Sequence, residues 1–204
     1  MESVPYKANL EIAHDLSAGD WIRASLAPWV LFSETPVTIG IVIPKGFESY
    51  LLIQHTHEGD ITGNLGSESL TKLTAVLSKF TSTPEDCYHA LWEGFGWTPP
   101  YSLPEGIIDA PRYTLPNRGY LLMRGPIEEA NELGWYSGEF LHRQSPNILW
   151  PADRKWILAS GIDFNVTLLA GSEQLISAIE NLNFFATQRF NVTDAIADLP
   201  VADY

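Results

Sequence analysis

Fourteen prolines are spread along these 204 residues, and each removes a backbone donor and fixes φ, which bars its surroundings from a helix interior or a central strand. Their placement divides the chain. Pro28 and Pro36 stop any helix begun near Asp20, Pro44 turns the chain, Pro84 precedes a strand, and Pro126 suits the first turn of a helix. Five prolines, at 99, 100, 104, 111 and 116, lie between Trp97 and Arg118. That spacing predicts an irregular segment at 97–118, and long irregular segments in compact domains tend to bind something or to cover a site.

Between these breaks the apolar period decides the elements. Asp20 to Leu26 predicts a short helix with Asp20 as its cap. Val37 to Ile43 alternates with the period of a strand covered on both faces, and Ser49 to His57 reads as its antiparallel return, with Leu51, Ile53, His55 and His57 on one side. Leu70, Leu73, Leu77 and Phe80 recur at helical spacing behind a cap at Ser67 or Ser69. Strands are expected at Cys87–Glu93 and Gly119–Arg124, with a helix opening at Gly125-Pro126. The sequence Trp150-Pro151-Ala152-Asp153 has turn chemistry and joins Asn147–Trp150 to Lys155–Ile162 as a hairpin. Phe164 to Leu169 adds a strand, and Gly171-Ser172 opens a helix carrying Leu175, Ile176, Ile179 and Leu182. Strands in adjacent pairs, interrupted by helices without regular alternation, predict an α+β fold: a mainly antiparallel sheet with two to three helices packed on one face. A single domain over 1–204 is expected, with a weakly structured tail at 191–204.

The charge balance narrows the partners. With 25 Asp and Glu against 12 Lys and Arg, a formal net charge of -13 and a pI near 4.6, a polyanion is repelled, so nucleic acid and anionic membranes are not expected partners. Cys87 stands alone, which rules out an intramolecular disulfide and a cysteine-rich zinc site and fits a reducing compartment. No apolar run has the length of a membrane helix, and Met1 to Leu16 lacks the pattern of a signal peptide. A soluble, cytoplasmic protein is expected.

Candidate site residues divide into two groups. His55 and His57, two apart on a strand, could aim both imidazoles at one metal ion, with Glu58 and Asp60 nearby. The plainer reading is the wet end of a strand entering a Gly-rich loop, and no cofactor is expected. The second group is aromatic and polar: Trp97, Tyr101 and Tyr113 in the proline-rich segment, and Trp150, Asp153 and Arg154 at the hairpin turn. These could form a ligand-binding surface. Alternatively, the aromatic residues dock on the core, Asp153 caps its own turn and Arg154 stacks on a tryptophan. Cys87 reads as a small buried hydrophobe. No phosphate loop, nucleophile elbow or two-histidine metalloprotease helix is present.

The stretch Ser145-Pro146-Asn147-Ile148-Leu149-Trp150-Pro151-Ala152-Asp153-Arg154-Lys155-Trp156, continuing through Ile162-Asp163, Thr167 and Gly171-Ser172, resembles the C-terminal signature of an uncharacterised, mainly actinobacterial family. That family tends to carry a second tryptophan where Leu149 stands and a double glycine where Ala170-Gly171 stands. Phe47-Glu48-Ser49-Tyr50 and the Trp92-Glu93-Gly94 region resemble further family segments. The resemblance implies a bacterial protein but no activity, cofactor or catalytic residue. The expected role is a non-catalytic binding or interaction module taking an unknown protein or small molecule. The alternative is a small hydrolase or metal-assisted enzyme centred on His55 and His57.

Overall fold

The computed structural model describes residues 9–29, 36–95, 109–116, 118–137 and 140–200. Its strands are β1 (Glu11–Ile12), β2 (Ser49–Gln54), β3 (Cys87–Trp92), β4 (Arg112–Leu115), β5 (Arg118–Gly125), β6 (Gly134–Ser137), β7 (Phe140–Arg143), β8 (Ile148–Pro151), β9 (Ile157–Ser160), β10 (Val166–Gly171) and β11 (Thr187–Arg189). The helices are α1 (Asp20–Ser25), α2 (Ser67–Leu77) and α3 (Glu173–Glu180). Nine strands form one antiparallel sheet in the order β1-β5-β3-β8-β9-β10-β2-β11, with β4 also paired to β5, while β6 and β7 make a separate hairpin. The α+β expectation holds.

Period two sends the sheet residues into separate cores. Leu51, Ile53, Leu149, Leu158 and Leu169 face α2 and α3, whose Leu70, Leu73, Leu77, Leu175, Ile176 and Ile179 are all buried. Each such side chain contributes about 1.5–3 kcal/mol of burial free energy. Trp156 locks this layer, since its indole N–H donates to the Leu77 carbonyl at the end of α2 (3.1 Å). The Ser172 hydroxyl accepts from Leu175 N and caps α3 as expected. Leu182, placed on the same helical face by its spacing, lies beyond the end of α3 and is exposed.

The opposite face is also covered. Leu52, Ala90, Leu122, Trp150, Ile157 and Leu168 pack there with Ile22 of α1, Ile39, Ile43, Phe190 and Leu199. Thus α2 and α3 share one face and the short α1 lies on the other. The cap of α1 is Gly19, where a Cβ would come within 2.4 Å of the Tyr113 ring, and the predicted cap Asp20 is instead the first helical residue.

Three expectations need correction here. Val37 to Ile43 is no strand: it forms a 3-10 turn at Ile39–Ile41, with a single bridge between Thr38 and Ala195. Pro36 and Pro44 bound the segment, and its middle is held by the C-terminal region, where Ile39 N donates to Asp194 O (2.9 Å) and Gly40 N to Val192 O (2.8 Å). β2 therefore pairs with β10 and β11. The irregular segment at 97–118 contains β4, bracketed by Pro111 and Pro116 and folded back on β5 as a hairpin. The tail from 191 is docked as far as Pro200: Leu199 is buried and Asn165 N donates to Pro200 O (3.1 Å). Among the described residues no helix is long and apolar enough to cross a membrane.

Candidate binding cleft

The β8–β9 hairpin fixes two ends of the sheet. At its closed end, Arg154 N donates to Pro151 O and completes the expected turn. Trp150 is fully buried and stacked on Tyr88 (ring centroids 5.2 Å apart), and the Asp153 carboxylate accepts from Thr81 Oγ1 (2.8 Å), Ser82 N (2.7 Å) and Ser82 Oγ (2.9 Å). Partial burial pushes the Asp153 carboxyl up, but these bonds, with one from Lys155 N, outweigh it and hold the group below its ordinary value. Arg154 adopts a left-handed backbone (φ 57) and lies over the ring of Trp21, not Trp150. Asp153 is therefore a structural clamp. Asp153→Ala should cost about 0.5–2 kcal/mol, the usual loss for a side-chain cap, and lower the melting temperature by about 2–4 °C per kcal/mol. An unchanged thermal melt would count against the clamp.

Tyr113 is likewise fully buried, and its hydroxyl donates to Gly19 O (2.7 Å). Burial raises its pKa, which keeps the phenol neutral. Neither Tyr113 nor Trp150 belongs to an exposed aromatic surface, and that expectation is corrected. Trp97 and Tyr101 lie outside the described residues.

The two histidines are not aimed at a common point. Both follow the end of β2, where His55 Nδ1 meets Ile61 O (2.9 Å) and Nε2 meets Thr167 Oγ1 (2.8 Å), while His57 stacks on Phe184 and its Nε2 meets Phe184 O (2.9 Å). Burial lowers the His55 pKa, only partly offset by the Ile61 carbonyl and Asp60. The Asp60 carboxylate is taken up by His57 N, Gly66 N and Ser69 Oγ. Among the described residues no group of three His, Cys, Asp or Glu side chains could hold a metal. Cys87 is buried, and burial, followed by Asp86, Asp153 and Glu85, pushes its thiol up to about 12, far from a reactive thiolate.

At the open end of the β8–β9 hairpin lies a concave site of about 350 Å³. Ile148 from the start of β8, Ala159 near the end of β9, Leu115 and Tyr120 from the β4–β5 hairpin, and Phe164 and Ile196 give it an apolar wall. The polar groups on that wall are few and held in place. Arg118 pairs with Asp163 at 2.5 Å. The buried Asn147 amide accepts from Trp92 N (2.9 Å) and donates to Gly63 O (3.2 Å) and Ser160 O (3.5 Å), which braces β3, β9 and the 59–66 loop around the site. Burial raises the Tyr120 pKa, Arg118 opposing it and Asp163 adding to it, so the hydroxyl stays protonated. The side chains of Arg118, Asp163, Asn147 and Ser160 on this wall all have hydrogen-bond partners within the protein.

Sequence reasoning missed Arg118, Tyr120 and Asn147 as members of this site. The Arg118–Asp163 pair spans 45 residues and arises only from the strand order β5-β3-β8-β9. Comparison with protein-family models, with curated proteins and with solved structures returned no match for this chain.

Proposed function

We propose that this protein is a non-catalytic binding module whose ligand is a small molecule with an apolar body and one polar head. The observation that carries the reading is the apolar site of about 350 Å³ beside the Arg118–Asp163 pair. Its size and lining match those of small-molecule sites, which run from about 300 to 1,000 Å³ with a few fixed polar groups. The ligand's apolar part lies against Ile148, Ala159 and Phe164, and its head exchanges hydrogen bonds with the guanidinium and carboxylate. The acidic chain and its inert, buried cysteine support a role in the bacterial cytoplasm, and membership of the actinobacterial family resembled by 145–172 is part of the same proposal.

Titration of the isotopically labelled protein with octan-1-ol, an apolar chain with one hydroxyl head that both donates and accepts, tests the reading by NMR. Saturable shifts should centre on Tyr120, Ile148, Ala159 and Phe164. Arg118→Gln should weaken binding about tenfold, the worth of one charge-assisted hydrogen bond, while barely changing stability because the ion pair is partly exposed. Shifts that fail to saturate, or that scatter over the surface, overturn the proposal.

A further inference from the structure

A second concavity, of about 380 Å³, lies beside the closed end of the β8–β9 hairpin, at the opposite end of the sheet from the apolar cleft. Its walls include Trp21, Lys45, Phe47, Arg154, Lys155 and Ser172. Most cations of this acidic chain are matched with carboxylates, Arg189 with two of them. Lys45, Lys79, Arg154 and Lys155 form no ion pair among the described residues, and three of these four line this one cleft.

The carboxylates of Glu48 and Asp153 are hydrogen-bonded to other groups and form no ion pair with these cations. Glu48, also on the wall, accepts from Glu173 N (3.1 Å), and Asp153, next to Arg154 in the turn, is bound to Thr81 and Ser82. An aromatic side adjoins the cations: Trp21 meets Phe47 edge to face (6.1 Å) and carries the Arg154 guanidinium over its ring (5.7 Å). Arg154 is also held in a left-handed conformation (φ 57), which a residue with a side chain rarely adopts and which glycine accepts freely.

We infer that this cleft binds a soluble phosphate monoester, its phosphate among Lys45, Arg154 and Lys155 and its organic part against Trp21 and Phe47. A phosphate monoester brings close to two negative charges and three strong acceptor oxygens, which three unpaired cations match. The planar fork of Arg154 suits two of those oxygens, and the two lysines act as point charges. Size selects among anions. The net charge of -13 repels an extended polyanion or an anionic bilayer, whereas a small ion inside the cleft is screened from distant carboxylates beyond a Debye length of about 8 Å.

The test is an NMR titration of the full chain with inorganic phosphate and with phenyl phosphate, alongside co-sedimentation with phosphatidic acid and phosphatidylcholine vesicles. Phenyl phosphate should shift the amides of Lys45, Phe47, Lys155 and Ser172 saturably and bind about tenfold tighter than inorganic phosphate, the margin expected of one ring contact. Arg154→Gly should keep the wild-type melting temperature within a few degrees and weaken phenyl phosphate binding about tenfold or more. Lys155→Gln should weaken it in the same direction. The inference is overturned by a lack of saturable shifts, by equal affinity for the two phosphates, by an Arg154→Gly protein that binds like wild type, or by vesicle binding without a response to phenyl phosphate. Octan-1-ol shifts at Ile148 and Phe164 are read separately, so either site can fail without the other.

Discussion

Trp150→Ala is expected to destabilise the protein by about 3–5 kcal/mol, the range for truncating a large buried aromatic residue. Trp150 has no exposed surface, stacks on Tyr88 with the ring planes 14° apart and lies 6.3 Å from Tyr113. It also sits opposite Tyr88 in the β3–β8 ladder, so the stack spans two strands that the hairpin and β5 depend on. The loss combines the transfer free energy of an indole with a cavity that strands fixed by ladder hydrogen bonds cannot close. Against a typical total of about 5–15 kcal/mol this is a large share. Urea unfolding followed by circular dichroism should show a much lower midpoint with an unchanged slope. A loss under about 1 kcal/mol would show that the ring is peripheral, as a binding surface requires.

That contrast marks what the sequence makes legible. Turn chemistry at Pro151 says that the chain reverses there, and it does, but turn residues carry no information on which face of the sheet is covered. Both faces of β8 are buried, so an aromatic residue beside a turn became core. Helices α2 and α3 were readable because their apolar spacing matches one face against one layer. Val37 to Ile43 misled because alternation reports which side chains are buried, and Ile39 and Ile43 are, without requiring a ladder partner. The apolar cleft was hidden for a different reason. Its walls come from β4, β5, β8, β9 and the docked tail, and no local pattern records that these meet. The cationic cleft was half visible in Arg154, but Lys45 lies more than a hundred residues away and joins it only because the Lys45–Glu48 segment lies beside the hairpin.

Stability should fall between pH 6.5 and about 4 through His89. This imidazole has no exposed surface, lies on β3 opposite Met123 and Leu149, and its Nε2 meets Pro126 O (3.1 Å) while Nδ1 has no partner among the described residues. Burial drives its pKa down from 6.5 to about 4, with the Gly125 and Pro126 carbonyls opposing only in part. The folded state thus binds the proton more weakly than the unfolded chain. Above pH 6.5 both states hold neutral imidazole and the full stability is present. As pH falls through this window the unfolded chain takes up a proton that the fold refuses, and stability is lost until both states are charged below about pH 4. The displacement corresponds to about 3 kcal/mol, and His55, lowered for the same reason, adds in the same direction. The carboxylates act later: Arg189, then Ser49, hold Glu173 down to about 2, so its stabilising contribution is full above the ordinary value of 4.5 and is lost as pH falls from there to about 2. His89→Gln keeps a donor for Pro126 O but cannot titrate, so its urea-derived stability should change much less than that of wild type between pH 7 and 5. Parallel pH dependences for the two proteins, or an NMR titration placing the His89 pKa above about 6, would exclude His89 as the source.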